Sequence, residues 1–142
     1  MTKVLIAGLG NMGISHALAY HNLPDAEIVG LVNRSIVPLP DELADYPLYR
    51  TFDEGMAVNP ELVVVATYTD SHMEFACKAM NAGAHVFVEK PLAMTVSDAT
   101  SVVETAKKTG KKLVVGYILR HHPSWISLID EARKLGGPYV FR

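Results

Sequence analysis

A glycine-rich loop near the amino terminus is the first segment whose residue types and spacing could do chemistry. Gly8, Gly10 and Gly13 follow a short apolar run and open a stretch of helical character. In a strand–loop–helix unit the first glycine permits a tight turn, the second admits a pyrophosphate and the third lets helix and strand pack closely. The backbone amides at the helix start, those of Asn11 and Met12 among them, would face the phosphates. The loop therefore predicts dinucleotide binding rather than a purely structural turn.

The end of the second apolar run indicates which dinucleotide is preferred. A site for NAD normally places a carboxylate about 20 residues after the loop, where it accepts a hydrogen bond from the ribose 2′-hydroxyl. At that distance the sequence has Asn33, Arg34 and Ser35, and no acidic residue. Arg34 could pair with a 2′-phosphate and stack on adenine, while Ser35 could donate a hydrogen bond to the phosphate. These residues predict that NADP(H) is preferred over NAD(H).

A second chemical segment is Glu89-Lys90-Pro91, which follows the apolar run at residues 85–88. A lysine at the carboxyl end of a parallel strand faces the crevice where such sheets bind ligands. Pro91 restricts Lys90 to extended conformations and so helps to direct one long side chain toward the nicotinamide. For a lysine considered in isolation, a solvated loop residue would be the favoured interpretation.

The elements that must position these residues are read from the hydrophobic pattern. Short apolar runs, rich in β-branched residues and with little alternation, predict strands buried on both faces; they occupy residues 4–7, 27–32, 62–66, 85–88 and 113–116. Amphipathic stretches at residues 71–82 and 97–109 predict helices, with Asp70 and Ser97 as N-caps and Gly110 at a helix end. Connections of this length favour right-handed crossovers. The fold class is therefore predicted to be α/β, a doubly wound parallel sheet of the Rossmann type.

The remaining segments set the predicted domain boundary. Residues 36–49 contain three prolines and predict irregular structure or a short helix, and residues 1–120 are assigned to the NAD(P)-binding domain. After it, Pro123 can open a helix whose apolar residues share one face, which would pack on the domain or on sequence beyond the chain: Trp125, Leu128, Ile129, Ala132 and Leu135. Residues 139–142 resemble a strand, and a chain ending inside a strand leaves an unpaired edge. Residues 121–142 are thus predicted to be a linker helix and the first strand of a truncated second α/β domain.

Composition excludes several classes of protein. The 142 residues are 49% hydrophobic and 20% charged with a formal net charge of −2, so disorder and a basic nucleic-acid-binding domain are not expected. The one cysteine, Cys77, cannot form an internal disulfide. No apolar stretch approaches the roughly 20 residues that span a bilayer. We therefore expect a cytoplasmic protein without membrane or nucleic-acid partners. The six histidines, including the adjacent His121 and His122, lack the spacing of a zinc site, so no metal is predicted.

Taken together, these motifs resemble the Gfo/Idh/MocA family of oxidoreductases, named after glucose–fructose oxidoreductase and inositol dehydrogenase. The resemblance covers essentially the whole chain, and its most specific part is the Glu-Lys-Pro segment. The matching pieces are Gly8-x-Gly10-x-x-Gly13 with His16, the run ending in Thr67 with His72, Ala82-Gly83-Ala84-His85-Val86 leading to Glu89-Lys90-Pro91, and Gly116-Tyr117-x-x-Arg120-x-x-Pro123.

The resemblance implies hydride transfer between a nicotinamide and a sugar-, polyol- or diol-like alcohol or carbonyl. It implies that Lys90 is catalytic, contacting substrate and nicotinamide ribose and polarising the substrate oxygen. Thr67, His72, Glu89 and Arg120 match positions near the cofactor. A second domain would complete the substrate site and supply the acid/base, an Asp or His with no counterpart here, so this chain alone is expected to be inactive. The full-length parent is expected to be a homo-oligomer.

The residues themselves leave two functions other than an oxidoreductase to consider. A non-enzymatic module could bind NADP to sense redox state or to brace an assembly, and its cofactor domain would have the same sequence features. A methyltransferase could use a similar glycine loop, but Glu89-Lys90-Pro91 has no purpose in such an enzyme.

Overall fold

A parallel sheet forms the centre of the protein, for which a computed structural model describes residues 1–138 and 140. Its six strands are β1 (Thr2–Ala7), β2 (Ala26–Val32), β3 (Leu48–Tyr49), β4 (Leu62–Val65), β5 (His85–Val88) and β6 (Leu113–Val115). They are ordered β3-β2-β1-β4-β5-β6, and every neighbouring pair is parallel. The order reverses between β1 and β4, which is the arrangement of a doubly wound Rossmann sheet. The predicted fold class is confirmed.

Helices cover both faces of this sheet. They are α1 (Asn11–His21), α2 (Phe52–Met56), α3 (His72–Asn81), α4 (Val96–Thr109) and α5 (Pro123–Leu135), with 3₁₀ turns at Asp41–Leu43, Thr69–Ser71 and Ile118–His121. Ala17 of α1 belongs to the core on one face, whereas Ala76 of α3 and Val102 of α4 belong to the core on the other. Val63 and Val64 are adjacent in β4, fully buried, and divided between the two cores. Burial on both faces explains why the strands are continuously apolar in sequence.

The segment at residues 36–49 contains an edge strand that the sequence did not predict. β3 is two residues long and joins β2 through the Leu31 amide to the Pro47 carbonyl and the Asn33 amide to the Tyr49 carbonyl. Two residues are too few to show the periodic pattern of a strand. The prediction of irregular structure or a short helix for this segment therefore rested on its prolines. The short helix α2 was also missed, although Thr51 and Glu54 form its capping box.

The N-caps predicted for α3 and α4 are wrong. α4 is capped by Thr95, whose hydroxyl accepts a hydrogen bond from the Asp98 amide at 3.1 Å, and Ser97 lies inside the first turn. α3 follows a 3₁₀ turn, and its N-cap residue is Ser71 rather than Asp70. At the other end of α4, Gly110 is the C-cap in a left-handed conformation, as predicted.

Helix α5 begins at Pro123 as predicted, but its apolar face does not pack onto the sheet domain within the described residues. Trp125 and Leu128 are each 42% exposed, and Ile129 is 39% exposed. Of the strand predicted at residues 139–142, positions 139, 141 and 142 lie outside the residues that the structure describes. The division into domains at residue 120 remains a prediction. Within the described part of the chain, no helix is long and apolar enough to cross a membrane.

Candidate cofactor-binding site

The predicted site residues lie at one edge of the sheet. Gly8 follows β1, Asn33 follows β2, Thr67 lies just beyond β4, Glu89 follows β5 and Gly116 follows β6. Because all strands are parallel, their carboxyl ends meet at this edge, where open α/β sheets bind ligands.

The structural environment differs at each of the three glycines of the loop. Gly8 has a φ of 92°, and a Cβ there would collide with the Ala66 carbonyl. A Cβ on Gly13 would collide with the carbonyl oxygen of Gly8, so close packing requires glycine at this position. Around Gly10, in contrast, a Cβ would meet no heavy atom within 4 Å among the described residues, the adjoining residues of the chain aside. Such open space is what close approach of a pyrophosphate to the backbone requires.

The start of α1 fits an anionic group. Gly10 is the N-cap residue, no side chain caps the helix, and its first turn contains no acidic residue. The first amides of a helix have no partner within the helix, and they carry the positive end of its dipole. The amides of Asn11, Met12 and Gly13 therefore fit a pyrophosphate beside the open Gly10.

Asn33 connects the glycine loop to the turn after β2. Its side-chain oxygen accepts a hydrogen bond from the Leu9 amide at 3.1 Å, and its side-chain nitrogen donates to the Ser35 carbonyl at 2.8 Å. Arg34 and Ser35 are exposed on this turn. The Arg34 carbonyl also accepts a hydrogen bond from Nη1 of Arg50 at 3.4 Å, a contact that the sequence gave no reason to expect.

Glu89 is a buried carboxylate, 6% exposed, at the end of β5. Its Oε1 lies 2.8 Å from Nε2 of His16, and its Oε2 accepts a hydrogen bond from the Lys90 amide at 3.2 Å. Gly116 lies directly beside it, since a Cβ there would be 3.2 Å from both carboxylate oxygens. The His16 ring also makes an edge contact with Phe87, with centroids 4.8 Å apart. The two oxygens of Glu89 are thus held by protein groups.

Lys90 is exposed at the same edge of the sheet, and the Lys90–Pro91 peptide is cis. Across residues 1–138 and 140, no carboxylate lies within 4.0 Å of its ammonium group. Its backbone is fixed through Glu89 while its side chain extends from the surface. The Lys90 side chain is therefore accessible to a ligand at this edge.

His72 lies behind the site and is only 1% exposed. Its Nδ1 is 2.8 Å from the Pro91 carbonyl oxygen and its Nε2 is 3.1 Å from the Thr67 carbonyl oxygen. The Thr67 hydroxyl in turn accepts a hydrogen bond from Ser71 at 2.8 Å. The ring therefore lies between the loops that follow β4 and β5, and each of its nitrogens faces a protein carbonyl.

Arg120 lies in the 3₁₀ turn that follows β6 and is exposed. Its guanidinium carbon is 5.4 Å from the centroid of the Tyr117 ring, within the range of a cation–π contact. Nowhere in the described part of the chain do three or more His, Cys, Asp or Glu side chains gather in a way that could hold a metal ion.

Comparison with known proteins agrees with this geometry. Residues 2–117 match the sequence profile of the Gfo/Idh/MocA family, described as an oxidoreductase family with an NAD-binding Rossmann fold. The chain belongs to this NAD-binding oxidoreductase family, and the resemblance inferred from its motifs is confirmed.

Three relatives illustrate the match. A 4-carboxy-2-hydroxymuconate-6-semialdehyde dehydrogenase from a Sphingobium species is 32% identical over 86% of this chain and 40% of that protein. An inositol 2-dehydrogenase from Salmonella paratyphi B is 29% identical over 97% of this chain and 44% of that protein. The crystal structure of GenD2 from gentamicin A biosynthesis, in complex with NAD, superposes with a TM-score of 0.84 at 27% identity, covering 92% of this chain and 38% of that one. The chain therefore spans less than half the length of these relatives.

Proposed function

We propose that this chain is the cofactor-binding part of an NADP-dependent oxidoreductase that acts on the CH–OH group or carbonyl of a sugar-, polyol- or diol-like substrate. The observation that carries the proposal is that the open Gly10 and the exposed Lys90 share one sheet edge. Hydride transfer of this kind needs a site for the cofactor pyrophosphate and a cation that contacts the substrate oxygen. The inositol 2-dehydrogenase relative supports a polyol-like substrate class.

The glycine loop and the start of α1 hold the pyrophosphate in this proposal. The amides of Gly10, Asn11, Met12 and Gly13 donate to phosphate oxygens, and the absence of a side chain at Gly10 lets the backbone approach closely. Asn33 does not need to touch the ligand, since its side chain fixes the loop against the turn after β2. When bound, the nicotinamide supplies or accepts the hydride.

Lys90 is assigned the catalytic role. Its ammonium group polarises the substrate oxygen, an electrostatic role that depends on a charge held in a fixed place. Glu89 fixes the Lys90 backbone by accepting a hydrogen bond from its amide, and His72 fixes the following Pro91. Thr67 and Arg120 flank the cofactor at the ends of β4 and β6. The proton-transferring group belongs to a second domain that begins after residue 120, and the parent protein is a homo-oligomer.

The preference for NADP rests on the turn after β2. Asn33, Arg34 and Ser35 include no carboxylate to accept from a ribose 2′-hydroxyl, whereas Arg34 and Ser35 are exposed and can bind a 2′-phosphate.

The test is a pair of fluorescence titrations of the purified chain, one with NADPH and one with NADH. We expect NADPH to bind at least about tenfold more tightly, as the loss of one charge-assisted phosphate contact would predict. Arg34→Ala should reduce that preference, and Lys90→Ala should leave NADPH binding within a few-fold. Equal affinities for both cofactors would overturn the NADP assignment. In a polypeptide that includes the second domain, Lys90→Ala should abolish turnover, and a retained kcat would remove Lys90 from the mechanism.

A further inference from the structure

A second arginine lies beside the turn that is proposed to bind the 2′-phosphate. β3 pairs with β2 so that Leu48 is opposite Leu31 and Tyr49 is opposite Val32. The Asn33 amide continues this ladder by donating to the Tyr49 carbonyl at 3.0 Å. Arg50 directly follows β3, and it therefore leaves the sheet beside Asn33 and at the same edge as the glycine loop.

The side chain of Arg50 is directed toward the turn rather than toward an acidic partner. Its Nη1 donates a hydrogen bond to the Arg34 carbonyl at 3.4 Å. No ion pair within 4.0 Å forms between a carboxylate and either Arg34 or Arg50 in residues 1–138 and 140. A guanidinium has five N–H donors, so one long backbone contact leaves most of its donor capacity available.

Two carboxylates follow Arg50 closely in sequence, and both already have partners: Asp53 pairs with Lys78, and Glu54 binds the backbone. Oε2 of Glu54 accepts hydrogen bonds from the Arg50 amide at 2.9 Å and the Thr51 amide at 3.0 Å, which forms the capping box of α2. These bonds hold Glu54 at the backbone side of Arg50. The carboxylate contributes an attraction to Arg50 but does not occupy its guanidinium.

We infer that Arg50 is a specificity-determining residue that binds the 2′-phosphate of NADP(H) together with Arg34 and Ser35. This inference rests on the cofactor preference proposed above and extends it to a residue from a different strand. A phosphate dianion can be bound by guanidinium groups from two chain segments at once, because it accepts several charge-assisted hydrogen bonds. The contact between Arg50 and the Arg34 carbonyl places the Arg50 guanidinium beside the turn that is proposed to bind the phosphate.

Stacking on adenine is the competing role for Arg50, and it makes a different prediction. Adenine is common to NADPH and NADH, so the loss of a stacking arginine would weaken both cofactors equally. The loss of a phosphate ligand would weaken only the cofactor that carries the 2′-phosphate.

The experiment is a fluorescence titration of the full 142-residue chain and its variants with NADPH and with NADH. Arg50→Ala should weaken NADPH about tenfold or more while changing NADH by less than about twofold. Arg50→Lys should give an intermediate loss, because it keeps the charge but not the planar fork. Arg133→Ala is the matched control, since this exposed arginine on α5 pairs with Asp130 and should leave both affinities unchanged. Competition by adenosine 2′,5′-bisphosphate should weaken in parallel with NADPH binding.

The outcomes separate this inference from the proposal on which it rests. If the wild type prefers NADPH and Arg50→Ala has no effect, or weakens both cofactors equally, Arg50 is not a phosphate ligand and only this inference fails. If the wild type shows no preference for NADPH, or binds neither cofactor, both fail. Urea unfolding of each variant distinguishes a lost contact from a lost fold.

Discussion

Nε2 of His16 lies 2.8 Å from Oε1 of Glu89, and this contact joins the helix after the glycine loop to the strand that ends at Lys90. The carboxylate is only 6% exposed, so it depends on protein partners for the hydrogen bonds that water would otherwise supply. Its other oxygen accepts from the Lys90 amide. The pair therefore fixes the proposed pyrophosphate cradle and the proposed catalytic lysine relative to each other.

Replacing His16 with alanine should destabilise the protein by about 2 kcal/mol, because it leaves a buried charged acceptor with one partner fewer. The measurement is the free energy of unfolding in urea. His21→Ala is the matched control: this exposed histidine of the same helix contacts Tyr46, and its loss should cost less than about 0.5 kcal/mol.

A double-mutant cycle separates this contact from the packing of His16 against Phe87. In a Glu89→Gln background the carboxylate charge is gone, so His16→Ala should cost about 1 kcal/mol less than in the wild type. An equal cost in the two backgrounds would show that the ring contact with Phe87, not the carboxylate, is what His16 provides.

Substitutions in the glycine loop can separate an effect on NADPH binding from an effect on the free energy of unfolding. Gly10→Ala adds a methyl group where, apart from the adjoining residues of the chain, no heavy atom of the described residues lies within 4 Å, so the free energy of unfolding should change by no more than about 1 kcal/mol. The same methyl group occupies the space needed by the pyrophosphate, so NADPH binding should weaken at least about tenfold.

Gly13→Ala is the counterpart, because its Cβ would collide with the Gly8 carbonyl. It should destabilise the fold by about 3 kcal/mol in urea unfolding. A Gly10→Ala variant that binds NADPH normally would contradict the assignment of this space to the cofactor.

The sequence predicted the structure best where a residue's role depends on its own segment of the chain. Gly8 and Gly13 could be predicted because a tight turn and a close helix contact require glycine at that spacing. The long strands could be predicted because burial on both faces makes them continuously apolar. β3 could not, since Leu48 and Tyr49 are too few to show a period.

The contacts that the sequence could not reveal depend on tertiary register. His16 and Glu89 are both in recognisable motifs, but 73 positions separate them, and only the packing of α1 on the sheet brings them together. Asn33 is predicted to contact the cofactor, and no sequence pattern indicates that its side chain also holds Leu9 and Ser35. Arg50 lies beside Arg34 only because the unpredicted β3 pairs with β2.

The N-cap of α4 supplies a direct test of local structure. Thr95→Ala removes the hydroxyl that accepts from the Asp98 amide and should cost about 1 kcal/mol of unfolding free energy. Ser97→Ala is the matched control, because Ser97 is exposed inside the first turn and its change should stay within about 0.5 kcal/mol. A larger loss for Ser97→Ala than for Thr95→Ala would restore the cap expected from the sequence.

The capping box of α2 gives the protein one acid-sensitive feature. The pKa of Glu54 is lowered chiefly by the hydrogen bond from the Arg50 amide, and then by that from the Thr51 amide. A carboxyl whose pKa is lower in the folded state stabilises the fold above the unfolded pKa. That stabilisation is lost as the pH falls through the lowered value.

Thermal unfolding of the wild type and of Glu54→Gln across the acid range tests this linkage. At neutral pH the wild type should have the higher Tm, because glutamine keeps an acceptor but not the charge that strengthens both amide bonds. The difference should shrink as acid protonates Glu54 in the wild type. Thr95→Ala is the control, since it removes the cap of α4 without touching Glu54, and its deficit relative to the wild type should change little as Glu54 titrates. A wild-type advantage over Glu54→Gln that persists or grows on acidification would contradict the charge-based explanation.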